Sequence, residues 1–324
     1  MRSHSLLLFI LLLAFPLEAH GQNRLGCLGA FERLSQMIGE NHFETRRDFE
    51  NYARFFPQSF LDSVSLLRAE GHWIDAGSGE GFAVEDFFKG YILDPVRLQA
   101  KAEGDHWSGR RTLLNSNEII EAAARLNYVG SENKPVVTAV TFAMERNPPK
   151  TSPKLAFKTG RFLEEIPNSE FSKADIITDL FGVASYSPRL DDVLRKYHDL
   201  LKLGGRAYIF IGDYIETPDA AGGYSNTRVG EPGWDAPFAQ SQVKQKNGDN
   251  VPLIEWLRNL PGFQVTVEHR RVEQKTRPGI LPGSVLRSTI VLEKTSPDGE
   301  IPKLKLIFAD DGKPPIRRFQ EIDQ

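Results

Sequence analysis

The chain has 324 residues, 40% hydrophobic and 26% charged, with a net charge of −3. A chain of this size buries a sizeable core, and so weak a net field draws neither nucleic acid nor an anionic membrane to the whole molecule. A single cysteine, Cys27, excludes an intramolecular disulfide framework and a multi-cysteine zinc site, and the seven histidines include no helical H-x-x-x-H pair, so no metal is expected.

Residues 1–21 carry Arg2, an apolar run from Leu6 to Phe15, and Ala19 and Gly21 before a cut at Gln22. This three-part pattern predicts a secretory signal peptide. The apolar run rises only about 15 Å as a helix, against roughly 30 Å of hydrocarbon, so a membrane anchor is the lesser alternative. Export to the periplasm or the medium is expected, and a translation start at Met37 would instead give a cytoplasmic chain. No later stretch reaches the ~18 apolar residues of a membrane span, so the mature chain is expected to have none.

Residues 22–70 form a helical N-terminal extension, with Phe60, Val64 and Leu67 at i, i+4, i+7. HWIDAG (72–77) reads as a short buried strand and GEGFAVEDFFKGY as the start of a helix. An insertion follows over 91–134, in which Asn117 can cap a helix and His106-Trp107 could face a pocket. VVTAVTFAM (136–144), KLAFKTGRF (154–162) and ADIITDLF (174–181) read as strands. LDDVLRKYHDLLKLGG (190–205) reads as an amphipathic helix closed by glycine, with His198 facing away from any site, and RAYIFIGD (206–213) as a strand. Residues 214–250 read as one long loop, with Gly222 to Trp234 the candidate substrate lid. A helix (VPLIEWLRNLPG) and two strands (FQVTVEHRRV, SVLRSTIVLEKT) complete a domain over 71–296, and 297–324 is a C-terminal extension with one more short strand. Strands alternating with helices predict an α/β sandwich on a mostly parallel sheet, and the final α-β-β predicts an antiparallel edge. The basic stretch 269–277 lacks interleaved aromatics and reads as a solvated strand end, not a nucleic-acid patch.

The most informative stretch is Trp73-Ile74-Asp75-Ala76-Gly77-Ser78-Gly79-Glu80-Gly81-Phe82. It joins a buried strand and an acid to a glycine turn that opens a helix, where backbone approaches a ligand closely and free N–H donors are offered. A P-loop would need Gly-Lys-Ser/Thr where Phe82-Ala83 follow, and a dinucleotide fingerprint would need a sixth-position glycine where Phe82 stands. No G-x-S-x-G elbow is present, because Gly77 directly precedes Ser78.

The stretch resembles motif I of the class I S-adenosylmethionine-dependent methyltransferases. Ala174 to Phe181 looks like that family's fourth strand, Leu190 to Leu203 like the next helix, Leu203-Gly204-Gly205 like the entry to the fifth strand, and the closing α-β-β like the reversed sixth and seventh strands. The resemblance spans roughly residues 55–295 and implies a Rossmann-like sandwich on a seven-stranded sheet. It implies a methyltransferase using S-adenosylmethionine on an unidentified acceptor. Gly77, Gly79 and Gly81 would line the methionine and ribose of the cofactor, with Asp75 near the amino group. Asp179 and Leu180 would lie beside the transferring methyl, Glu145 would be the nearest acid for the ribose hydroxyls, and Asp179 and Tyr186 are the catalytic candidates. The sequence departs from the family at Thr141, where an acid usually ends the second strand, and at Arg161, where an acceptor usually follows the third. Those departures, with the export signal, support an alternative: an exported, inactive binding or scaffold protein that keeps the fold.

Overall fold

The structure, a computed structural model, describes residues 47–89, 135–141, 154–216, 236–274, 283–312 and 314–323. Every described residue belongs to one compact unit, Phe43–Gln324. The expected signal peptide, the extension up to residue 46, the 91–134 insertion with His106-Trp107, Glu145 and the Gly222–Trp234 lid lie outside the described residues.

In chain order the elements are α1 (Phe49–Phe55), α2 (Gln58–Leu66), β1 (His72–Ala76), α3 (Phe82–Lys89), β2 (Val136–Thr141), β3 (Leu155–Thr159) and β4 (Ala174–Asp179), with two 3-10 turns between β3 and β4. Then come α4 (Val183–Tyr186), α5 (Leu190–Leu200), β5 (Leu201–Glu216), α6 (Pro237–Gln240), β6 (Gln242–Lys244), β7 (Asn250–Pro252) and α7 (Leu253–Arg258). The chain closes with β8 (Phe263–Gln274), β9 (Gly283–Lys294), β10 (Leu304–Ala309) and β11 (Arg317–Glu321).

Seven strands form one sheet in the order β3-β2-β1-β4-β5-β9-β8. β1 to β5 run parallel, and β9 pairs antiparallel with both β5 and β8, which gives the antiparallel edge the sequence predicts; of the two closing strands only β9 is reversed, and β8 runs with β1 to β5. The fold is the expected Rossmann-like α/β sandwich on a seven-stranded sheet. Its two cores follow from strand periodicity, since successive side chains point to opposite faces. On β1, Trp73 joins a cluster with Phe49, Tyr52 and Phe60 of α1 and α2 and Phe87 of α3. Ile74 joins the opposite cluster with Val193, Leu194 and Tyr197 of α5. On β5 the alternation repeats, with Tyr208 and Phe210 on the first side and Ile209 and Ile211 on the second.

Two segments differ from their expected form. The helix expected over 190–205 ends at Leu200, because Leu201 turns to extended backbone and pairs with Ala174. Lys202 to Gly205 then form an irregularity in register, with Gly204 at φ +76, before Arg206 pairs with Ile176. The 214–250 stretch, expected as one loop, holds regular structure at both ends: β5 runs to Glu216, and α6, β6 and the start of β7 lie beyond Ala236. β6 and β7 belong to a second sheet, ordered β10-β11-β6-β7, that also takes in most of the C-terminal extension. Leu304 and Phe319 of that sheet sit in the same core cluster as α5. Among the described residues no helix is long and apolar enough to cross a membrane.

Candidate functional site

The sheet changes direction of winding between β1 and β4: β2 and β3 extend from β1 to one side, β5 from β4 to the other. In open α/β sheets ligands bind outside the carboxyl ends of the strands at such a switch point. The glycine turn stands there. Gly77, Gly79 and Gly81 all have left-handed φ, at +86, +58 and +78. The Gly77 and Ser78 N–H groups donate to the Val140 carbonyl at 2.9 and 3.0 Å, which leans the turn on the end of β2. A Cβ on Gly77 would come within 2.4 Å of the Gly182 Cα, so the turn and the β4–α4 loop touch backbone to backbone. A Cβ on Gly81 would meet the Phe157 ring at 2.4 Å.

Beneath the turn lies a polar network within the aromatic cluster. Asp75 is fully buried and accepts from the Tyr52 hydroxyl at 2.9 and 2.8 Å and from Thr178 Oγ1 at 2.8 Å. Thr178 Oγ1 in turn accepts from Trp73 Nε1 at 2.8 Å. Burial pushes the Asp75 carboxyl up to about 7, against the lowering effect of its hydrogen bonds to Tyr52 and Thr178. Its carboxylate is thus directed into the core, not into the crevice.

Asp179 is also fully buried. It accepts from the Gly182 and Ala184 N–H groups at 2.7 Å each and from the Tyr197 hydroxyl of α5. This is the geometry of a turn cap, satisfying the donors that open α4. Burial raises its carboxyl to about 6, opposed by those three hydrogen bonds. Between Asp179 and Gly182, Phe181 has a left-handed φ of +50, a backbone state costly for an aromatic residue and concentrated at functional sites. Its ring packs against Phe210 and Phe55, with centroids at 4.8 and 6.1 Å.

Arg47 stands at the mouth. Its guanidinium donates to the Leu180 carbonyl and lies 5.3 Å from the Phe181 ring. Burial lowers its pKa, and the nearby carboxylates of Asp75 and Asp179 oppose that effect; Tyr52 and Tyr186 share the region. Burial raises the Tyr186 phenol, so it is a hydroxyl at neutral pH.

Asp75, Asp179, Leu180, Tyr186 and the three glycines therefore meet around the switch point. Thr141 is buried at the end of β2. Arg161 turns to the surface, where it pairs with Glu170 at 3.2 Å. Glu164 is the buried acid after β3: it accepts from Ser187 Oγ at 2.9 Å, with Arg189 at 3.5 Å, and burial raises its pKa. His198 lies on the far side of α5, against Phe263 and the Ser296 carbonyl. Sequence reasoning misses Arg47, Tyr52, Thr178 and Arg317. Arg317 of β11 is 1% exposed and donates to the Ser187 and Ala184 carbonyls at 2.7 and 2.6 Å, which ties the second sheet to the Asp179 turn. No spacing signal links residues so far apart in sequence.

No protein-family model matches the chain, and no curated protein matches it. Among solved structures it is similar to precorrin-6y C5,15-methyltransferase from Geobacter metallireducens GS-15, at 11% identity over 73% of this chain and 87% of the other, with a TM-score of 0.34. It is also similar to the N-methyltransferase NodS from Bradyrhizobium japonicum WM9 in complex with S-adenosyl-l-homocysteine, at 9% identity over 80% and 97%, with a TM-score of 0.32. A precorrin 8W decarboxylase from Methanobacterium thermoautotrophicum matches at 13% identity over 72% and 88%, with a TM-score of 0.31.

Proposed function

We propose that the chain is an S-adenosylmethionine-dependent methyltransferase acting on an unidentified acceptor, with the cofactor over the glycine turn at the carboxyl ends of β1 and β4. The observation that carries this reading is the run of three left-handed glycines at the switch point of the sheet. The donor set fits the group. Arg47 supplies a cation for an α-carboxylate, the Leu180 carbonyl an acceptor for an ammonium, and the Phe181 ring an aromatic wall. When bound, the cofactor supplies an activated methyl on a sulfonium. The protein's part is then to hold the acceptor in line, which accounts for much of the rate in such transfers. Asp75 and Asp179 act as positioning residues beneath the crevice, because their oxygens are taken by Tyr52, Thr178, Tyr197 and backbone N–H groups. Tyr186 is a hydrogen-bond donor to the acceptor rather than a base. We further propose that residues 1–21 export the chain, so that its mature N-terminus is Gln22, which a terminal peptide in mass spectrometry would identify.

The test is calorimetric titration of the purified chain with S-adenosylmethionine and its demethylated product. Binding in the micromolar range is expected, weakened on the order of tenfold or more by Arg47→Ala, which removes a charged partner. A folded chain that binds neither ligand would overturn the proposal and leave the fold as a binding scaffold.

A further inference from the structure

The second sheet ends at β10, which pairs with β11 on one side and, among the described residues, with no strand on the other. A register shift between Leu306 and Phe308 leaves Ile307 without a partner on β11. Such a bulge turns consecutive side chains the same way. Here Ile307 is 51% and Phe308 48% exposed, two large apolar side chains side by side on an edge strand. Ile322 stands at the other end of this strand pair, its N–H donating to the Lys303 carbonyl at 3.0 Å. Exposed apolar edges are templates for a further strand, and proteins that leave them open ordinarily blunt them with charge along their centre. This edge carries its charge at the two ends instead, with Lys303 and Lys305 before the apolar centre and Asp310 and Asp311 after it.

That polarity is self-complementary. An antiparallel partner strand runs the other way, so a second copy of β10 brings its acidic end to the basic end of the first. With a two-fold axis at Ile307, Lys303 of one copy faces Asp311 of the other. With the axis at Phe308, Lys305 faces Asp311. Either way opposite charges meet at both ends and the Ile307–Phe308 pairs meet at the centre, as an isologous contact requires. We infer that the β10 edge is an interface between two copies of this chain, joining their second sheets into one. The inference is independent of what the switch-point crevice binds.

Sedimentation velocity of the full chain over a concentration series tests it. The expected result is a reversible species of twice the 36.4 kDa chain mass. Ile307→Lys should abolish that species without lowering the melting midpoint, because the side chain is exposed; Ile307→Thr replaces it if the lysine lowers the midpoint. Lys303→Glu with Lys305→Glu should weaken association on the order of tenfold, and adding Asp311→Lys should restore it. Asp310 is left alone because its carboxylate holds the following turn through the Gly312 and Ile316 N–H groups. A wild-type chain that stays monomeric at every concentration would overturn the inference. So would a dimer that survives the Ile307 substitution, or one whose association is unchanged by the double charge reversal.

Discussion

Asp75 shows how one residue can satisfy a sequence pattern and serve another purpose in the fold. Its place at the end of β1 is legible from the sequence, but the direction of its carboxylate is not. That direction depends on Tyr52 and Thr178, which lie 23 and 103 positions away. Its titration follows from burial. A carboxyl raised from 3.8 to about 7 on folding contributes stability below the unfolded value and loses it as pH rises through the folded one. Asp179, raised to about 6, acts in the same direction. Asp75→Asn should therefore flatten the fall in stability between about pH 4 and 7, in urea melts of variant and wild type across that window. A variant whose stability falls as steeply as that of the wild type would contradict this assignment.

At the scale of elements, the long strands and the amphipathic α5 are legible because burial imposes a period of two or of 3.6 on their side chains. Of the second sheet only β10 is legible, as the short strand expected in the C-terminal extension. β6 and β7 have three residues each, too few for any period, and β11 reads RRFQE with its charges foremost. Arg317 in particular reads as a surface residue, yet it is a buried cation stacked near the Phe238 and Phe319 rings at 5.6 and 5.3 Å. Burial lowers its pKa to about 10, opposed by Asp179 and Tyr186. Arg317→Met would fill the space and strand the Ala184 and Ser187 carbonyls, so a loss of about 2–4 kcal/mol is expected in chemical denaturation. Arg317→Lys should recover part of it, since an ammonium can still reach one carbonyl.

For the whole molecule, the number and direction of the strands in the main sheet follow from their order in sequence, whereas the division at residue 297 does not describe the packing. Ile301, Leu304 and Phe319 belong to the core cluster that also holds α5 and α7. A chain ending at 296 would expose that cluster and lose the Arg317 tie to the Asp179 turn. It should accumulate as aggregate, while the full chain remains in the soluble fraction with a cooperative thermal melt. A soluble, cooperatively melting 1–296 chain would show instead that the second sheet is dispensable.

The hydrogen bonds beneath the glycine turn have a spectroscopic consequence. The Trp73 indole N–H reaches Thr178, and the Thr178 hydroxyl reaches Asp75. A buried chromophore therefore sits two hydrogen bonds from a carboxyl that ionises near neutrality. Charge appearing on Asp75 polarises that chain and shifts the electrostatic field across the indole. The emission colour of Trp73 should therefore shift as Asp75 ionises, a shift that Trp73→Phe or Asp75→Asn should remove from the total tryptophan emission.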